Sequence, residues 1–80
     1  MTTETHSEQR ILSLVRFVAG YWEEHGYAPT IREIVHELDL SSTSIAAYWV
    51  RATVQAGLVK VDALHARTIR LTEAGRAMLQ

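Results

Sequence analysis

The chain has 80 residues, a mass of 9.0 kDa, a formal net charge of −1 and a pI near 6.4. That length fits one domain with one core, and an enzyme carrying its own scaffold and substrate pocket is not expected. The absence of cysteine excludes disulfides, thiol catalysis and thiolate metal sites, while 48% hydrophobic residues argue against global disorder.

No apolar run reaches the ~18 residues of a membrane span. The first residues, Met1-Thr2-Thr3-Glu4-Thr5, lack the basic start and apolar block of a signal peptide. A cytoplasmic location is the expectation. The near-neutral charge argues at first sight against a nucleic-acid partner, since such proteins are commonly basic. The average conceals an asymmetry. Residues 1–40 hold Glu4, Glu8, Glu23, Glu24, Glu33, Glu37 and Asp39 against Arg10, Arg16 and Arg32, a balance of −4. Residues 41–71 hold Arg51, Lys60, Arg67 and Arg70 against Asp62, a balance of +3. A basic stretch joined to an acidic one points to a nucleic-acid face in the second half.

Residues 1–6 are expected to form a flexible tail. A first helix is predicted over residues 7–25, with Thr5 or Ser7 as cap. Ile11, Leu14, Val15, Val18, Tyr21 and Trp22 recur on one face, and Gly26 suits the position after the helix. Tyr21 and Trp22 are assigned to the core. Pro29 bars Ala28 from helical backbone. Thr30-Ile31-Arg32-Glu33 then reads as a capping box opening a second helix over about 31–38, with Ile31, Ile34, Val35 and Leu38 as its apolar stripe. Asp39 falls where a left-handed residue is needed, which Asp tolerates better than most. Ser41-Ser42-Thr43-Ser44 follows as a hydroxyl-rich cap. A third helix is predicted over about 43–56, ending at Gly57. Short helix, tight turn and capped helix together form the helix-turn-helix pattern.

After Gly57 the hydrophobic period shifts to alternation. Leu58-Val59-Lys60-Val61 and Thr68-Ile69-Arg70-Leu71 read as two strands, joined by a hairpin loop over residues 62–67. Thr72 caps a last short helical segment from Glu73. The fold class is therefore mainly α with a small β-hairpin, a winged helix-turn-helix: three helices, a two-stranded wing and a short C-terminal helix, in a single domain over residues 1–80.

At about 100° per residue, Ser44, Ala47, Tyr48 and Arg51 share one face of the third helix. Ala46, Val50, Thr53 and Val54 lie opposite and are expected to fill the core. Ile45, Trp49, Ala52 and Ala56 occupy the flank. In a helix-turn-helix the N-terminal residues of the second helix reach base edges in the major groove. The hydroxyls of Ser42, Thr43 and Ser44 can serve as caps or bond bases and phosphates. Tyr48 can lie on a thymine methyl or bond a phosphate, and Arg51 is placed on a phosphate. Thr30 and Arg32 at the start of the second helix face anions through orphan N–H groups and charge. His65 and Arg67 in the wing are candidates for phosphate or minor-groove contact. Ile45 and Trp49 are either edge-of-core packing or the surface for a protein partner.

Gly26-Tyr27-Ala28-Pro29-Thr30-Ile31-Arg32-Glu33-Ile34, then Leu38-Asp39-Leu40-Ser41-Ser42-Thr43-Ser44, then Ala56-Gly57-Leu58-Val59 closely resemble the N-terminal DNA-binding domain of LexA, the SOS-response repressor family. The resemblance covers about residues 8–71. Asp39 stands where that family has a turn glycine, and Ala56 where it usually has a basic residue. Leu71-Thr72-Glu73-Ala74-Gly75-Arg76 is similar instead to the wing-to-helix exit of MarR-type winged helices. The LexA resemblance implies operator binding through the third helix, with double-stranded DNA as partner and base contacts at Ser42, Ser44, Ile45, Ala47 and Tyr48. The family's self-cleaving C-terminal domain has no counterpart in these 80 residues, so self-cleavage is not expected.

No catalytic residue, metal ligand or cofactor is assigned. His6, His25, His36 and His65 are scattered without metal-ligand spacing, and neither phosphate-binding glycine motif occurs. Two functions remain. The first is a sequence-specific DNA-binding transcriptional regulator acting as a homodimer, with the third helix in the major groove and the wing on the backbone. The second is a winged-helix protein-interaction module, such as a small phage or accessory factor that binds a transcription protein through Ile45 and Trp49.

Overall fold

The computed structural model describes residues 3–62 and 67–80. Its elements in chain order are α1 (Thr3–His25), α2 (Ile31–Leu38), α3 (Thr43–Gln55), β1 (Val59–Lys60), β2 (Arg70–Leu71) and α4 (Glu73–Met78). The three-helix, two-strand, one-helix order is that of a winged helix. Among the described residues, no helix is long and apolar enough to cross a membrane.

α1 starts at Thr3, four residues before the predicted start. No glycine or proline lies between Thr3 and Ser7, so nothing stops the helix from propagating outward once nucleated. Leu14, Val15 and Val18 are fully buried, and the half-buried Phe17 and Trp22 pack against the same core. α1 meets α2, α3 and β2. Its apolar surface is therefore wider than one stripe.

The capping box forms as predicted. Glu33 N–H donates to Thr30 Oγ1 at 3.2 Å, and Thr30 N–H donates to Glu33 Oε1 at 2.7 Å. α2 ends on Asp39 in the left-handed region (φ 55°, ψ 50°), and Leu40 N–H closes the turn onto Val35 O at 2.9 Å. Arg10 on α1 donates to Leu38 O at 3.1 Å, satisfying a carbonyl that the end of α2 leaves open. Ser42 then caps α3 by accepting from Ile45 N–H at 3.2 Å.

α3 turns Ala46, Val50 and Thr53 into the core, where they join Leu14, Val18, Ala28, Ile34, Val59 and Ile69. The buried Thr53 hydroxyl donates to Trp49 O at 2.7 Å, so its burial leaves no orphan donor. Val54, expected in the core, is 38% exposed. It sits at the last turn of α3, where the chain leaves the core at Gly57 (φ 80°) before β1 begins.

β1 and β2 pair antiparallel, Val59 with Leu71 and Lys60 with Arg70. Both strands are half the predicted length. Asp62 N–H donates to the Thr68 hydroxyl at 2.9 Å, and that hydroxyl donates to Asp62 O at 3.0 Å. A side chain thus takes the place of the ladder beyond Lys60. Ile69 O is taken by the Trp22 indole N–H at 2.8 Å, which ties the wing to α1. At the other end, Thr72 N–H donates to Leu58 O at 3.0 Å and the Thr72 hydroxyl accepts from Gly75 N–H at 3.1 Å, opening α4.

Candidate nucleic-acid interface

α3 is fixed in both its start and its rotation. Ser42 fixes its start, and the buried triplet Ala46, Val50 and Thr53 fixes its rotation. That rotation exposes Thr43, Ser44, Ile45, Tyr48 and Arg51, with Ala47 half-buried beside them. Ile45 is 40% and Tyr48 57% exposed. The predicted face is therefore largely present, and Ile45 belongs to it rather than to the edge of the core. Trp49 is half-buried, with the Arg10 guanidinium 5.9 Å from its ring centroid and the Tyr48 ring edge-on at 5.0 Å. Ile45 and Tyr48, not Trp49, thus carry the open apolar surface of the first two turns of this helix.

Thr30, Arg32, Thr43 and Arg67 line one groove of about 470 Å³ between the start of α2, α3 and the wing. Thr30 is engaged as the cap of α2, while Arg32 is exposed. Each helix start presents N–H groups that favour an anion, and α3 has no acidic residue in its first turn to compete for them. His65 lies outside the described residues.

Arg67 is placed differently from the sequence expectation. Its Nη1 donates to Ala28 O at 2.9 Å and to Tyr21 Oη and Glu33 Oε1 at 3.2 Å, while Nη2 donates to Glu33 Oε2 at 3.2 Å. Its guanidinium also lies 4.9 Å from the Tyr27 ring centroid. Both terminal nitrogens are thereby bound within the domain. The backbone thread at Arg67 is left-handed (φ 56°), an unusual state for a non-glycine residue. The Glu33 carboxylate is the hub. It accepts from Thr30 N–H, from the Tyr21 hydroxyl at 2.9 Å and from Arg67. The Thr30 N–H contributes most, with Tyr21 and Arg67 adding to it against an opposing effect of burial, and the pKa falls from 4.5 to about 2.

Sequence reasoning found Glu33 as a cap but missed this hub. Tyr21, Glu33 and Arg67 are separated by 12 and 34 residues, and no local period links such positions. The available signals were the polar tip of Tyr21, which the sequence assigns to the core, and an arginine at the return of the wing.

A capped, solvent-open second helix in a helix-turn-helix, flanked by a hairpin docked on α1 and α3, defines a winged helix-turn-helix domain. The family described as LexA DNA binding domain matches residues 1–68. The LexA repressor of Lacticaseibacillus casei (strain BL23) is 37% identical over 70 residues, covering 88% of this chain and 34% of that protein. The LexA repressor of Lactobacillus johnsonii is 38% identical over 77 residues, covering 96% of this chain and 37% of that protein. The LexA repressor of Anaeromyxobacter dehalogenans (strain 2CP-1) is 39% identical over 70 residues, 88% and 31% respectively. The chain belongs to the LexA DNA-binding domain family. It spans about a third of the length of these curated relatives.

Proposed function

We propose that the protein is a sequence-specific DNA-binding transcriptional regulator of the repressor type. α3 enters the major groove with Ser42, Thr43, Ser44, Ile45, Ala47 and Tyr48 at the base edges. Arg51 and the start of α2, with Thr30 and Arg32, meet flanking phosphates. The wing lies along the neighbouring backbone, with His65 as its contact residue and Arg67 as the residue that sets its position. The observation that carries this reading is the exposure of Ser44, Ile45, Tyr48 and Arg51 along one side of a rigidly capped α3 in a member of this family.

One copy neutralises few phosphates, and sequence-independent affinity follows that number. Two copies on half-sites one helical turn apart raise affinity through effective concentration. The regulator therefore acts as a homodimer on a two-part site.

Titration of a labelled duplex pool at two salt concentrations tests this. Binding that weakens as salt rises is expected, with Arg51→Ala weakening all sequences and lowering the salt slope by about one phosphate. No binding at low salt overturns the proposal and favours a protein partner on the Ile45 and Tyr48 surface.

A further inference from the structure

The placement of α3 in the major groove, which this inference takes from the proposed function, leaves open which bases are read. The chemistry of the face narrows the answer. Ser42 and the first two turns of α3 present Ser42, Thr43, Ser44, Ile45, Ala47 and Tyr48. None of the six carries a guanidinium, ammonium, carboxamide or carboxylate. Guanine is identified in the major groove by Arg or Lys on O6 and N7, adenine by Asn or Gln on N6 and N7, and cytosine by a carboxylate on N4. None of those pairings is available among these six, and Arg51, one turn further along the same face, is assigned to a phosphate in the proposed function. The Ser42 hydroxyl is further committed as acceptor to Ile45 N–H.

What the face offers in their place is apolar area. Ile45 and Tyr48 stand one turn apart on α3 and are its two large exposed apolar side chains in that stretch. The thymine C5 methyl is the apolar group that base edges display in the major groove. The Tyr48 ring is braced edge-on against Trp49 at 5.0 Å and 81°, and Trp49 is covered in turn by Arg10. The ring is therefore positioned before DNA arrives, which reduces the ordering cost of contact. We infer that Ile45 and Tyr48 read thymine methyl groups, so that methyl contact, rather than bidentate hydrogen bonding, supplies most of the sequence preference of α3.

The test starts from the duplex that the full chain selects from a random pool. Each thymine is then replaced by deoxyuridine, which removes the methyl and leaves every hydrogen-bonding group in place. A loss of roughly fourfold is expected at one or more positions, the fold-change for one buried methyl-sized group. Ile45→Ala or Tyr48→Ala, each with unchanged helical circular dichroism, removes the sensitivity at its own position. Equal affinity for thymine and deoxyuridine at every position overturns the inference and leaves DNA binding intact. Sensitivity that survives both substitutions also overturns it, because the methyl is then read elsewhere. Failure to bind any duplex at low salt overturns the functional reading beneath it.

Discussion

The Arg67 guanidinium meets the Glu33 carboxylate through two hydrogen bonds of 3.2 Å, joining the return of the wing to the first turn of α2 across 34 residues of sequence. The same guanidinium bonds Ala28 O, the last carbonyl before Pro29. The wing is thus fixed to the segment that opens the helix-turn-helix. Arg67 holds a left-handed backbone while doing so. Arg67→Ala loses the bonds and keeps the backbone penalty; Arg67→Gly loses the bonds and relieves it. Both variants are expected to melt below the native protein, with the alanine variant the lower of the two. An alanine variant that melts with the native protein would show that the tie contributes nothing to stability.

The Glu33 carboxylate gives this tie a pH dependence. Its pKa in the folded protein, about 2, lies below its ordinary 4.5, so it contributes stability that is fully present above about pH 4.5 and lost as pH falls through about 2. Glu33→Gln has no such charge. The native protein should melt higher than the variant at neutral pH, and the gap should close between about pH 4.5 and pH 2. A gap that stays constant across that window contradicts the assignment.

Gly75 packs α4 against the backbone of Leu58, the residue before β1. A Cβ there would clash with Leu58 O and stand 3.1 Å from Leu58 C. Helix propensity favours alanine over glycine by about 1 kcal/mol, yet the clash is with backbone that also bonds Thr72 N–H and has little room to yield. Overpacking of this kind typically costs about 1–3 kcal/mol. Gly75→Ala should lower the melting temperature by several degrees in a differential scanning calorimetry trace. A melting temperature at or above native would show that α4 shifts freely.

Asp39 occupies a left-handed turn position and places a negative charge at the C-terminal end of α2. Both features are unfavourable for an aspartate. Asp39→Gly should gain about 0.5–1 kcal/mol, net of the greater freedom of glycine in the unfolded chain. Asp39→Asn, which loses only the charge, should fall between the two in thermal denaturation. A glycine variant less stable than native would mean that the aspartate side chain holds the turn.

Local signals carried the fold. The Thr30–Glu33 capping box, the Ser42 cap, the Asp39 turn and the apolar stripe of α2 each link neighbours at most five positions apart, and local pattern exposes them directly. The strand ends were not legible, because the Thr68 hydroxyl and the Trp22 indole take backbone groups that alternation alone assigns to a ladder. The exposed face of α3 followed from the helical period, while Val54 departed from it because the core ends before the helix does. The role of Arg67 was hidden for a different reason. An arginine on a wing gives no local sign that the fold will bring Glu33, Tyr21 and Ala28 to it.

The most direct test of the central claim is a titration of the uniformly ¹⁵N-labelled 80-residue chain with its selected duplex, followed by amide chemical shifts. The largest changes should run along Ser42, Ser44, Ile45, Ala47, Tyr48 and Arg51, with a second group at Arg32 and the wing. Changes confined to α4 and the outer side of α1, with α3 unmoved, would contradict DNA recognition by this helix.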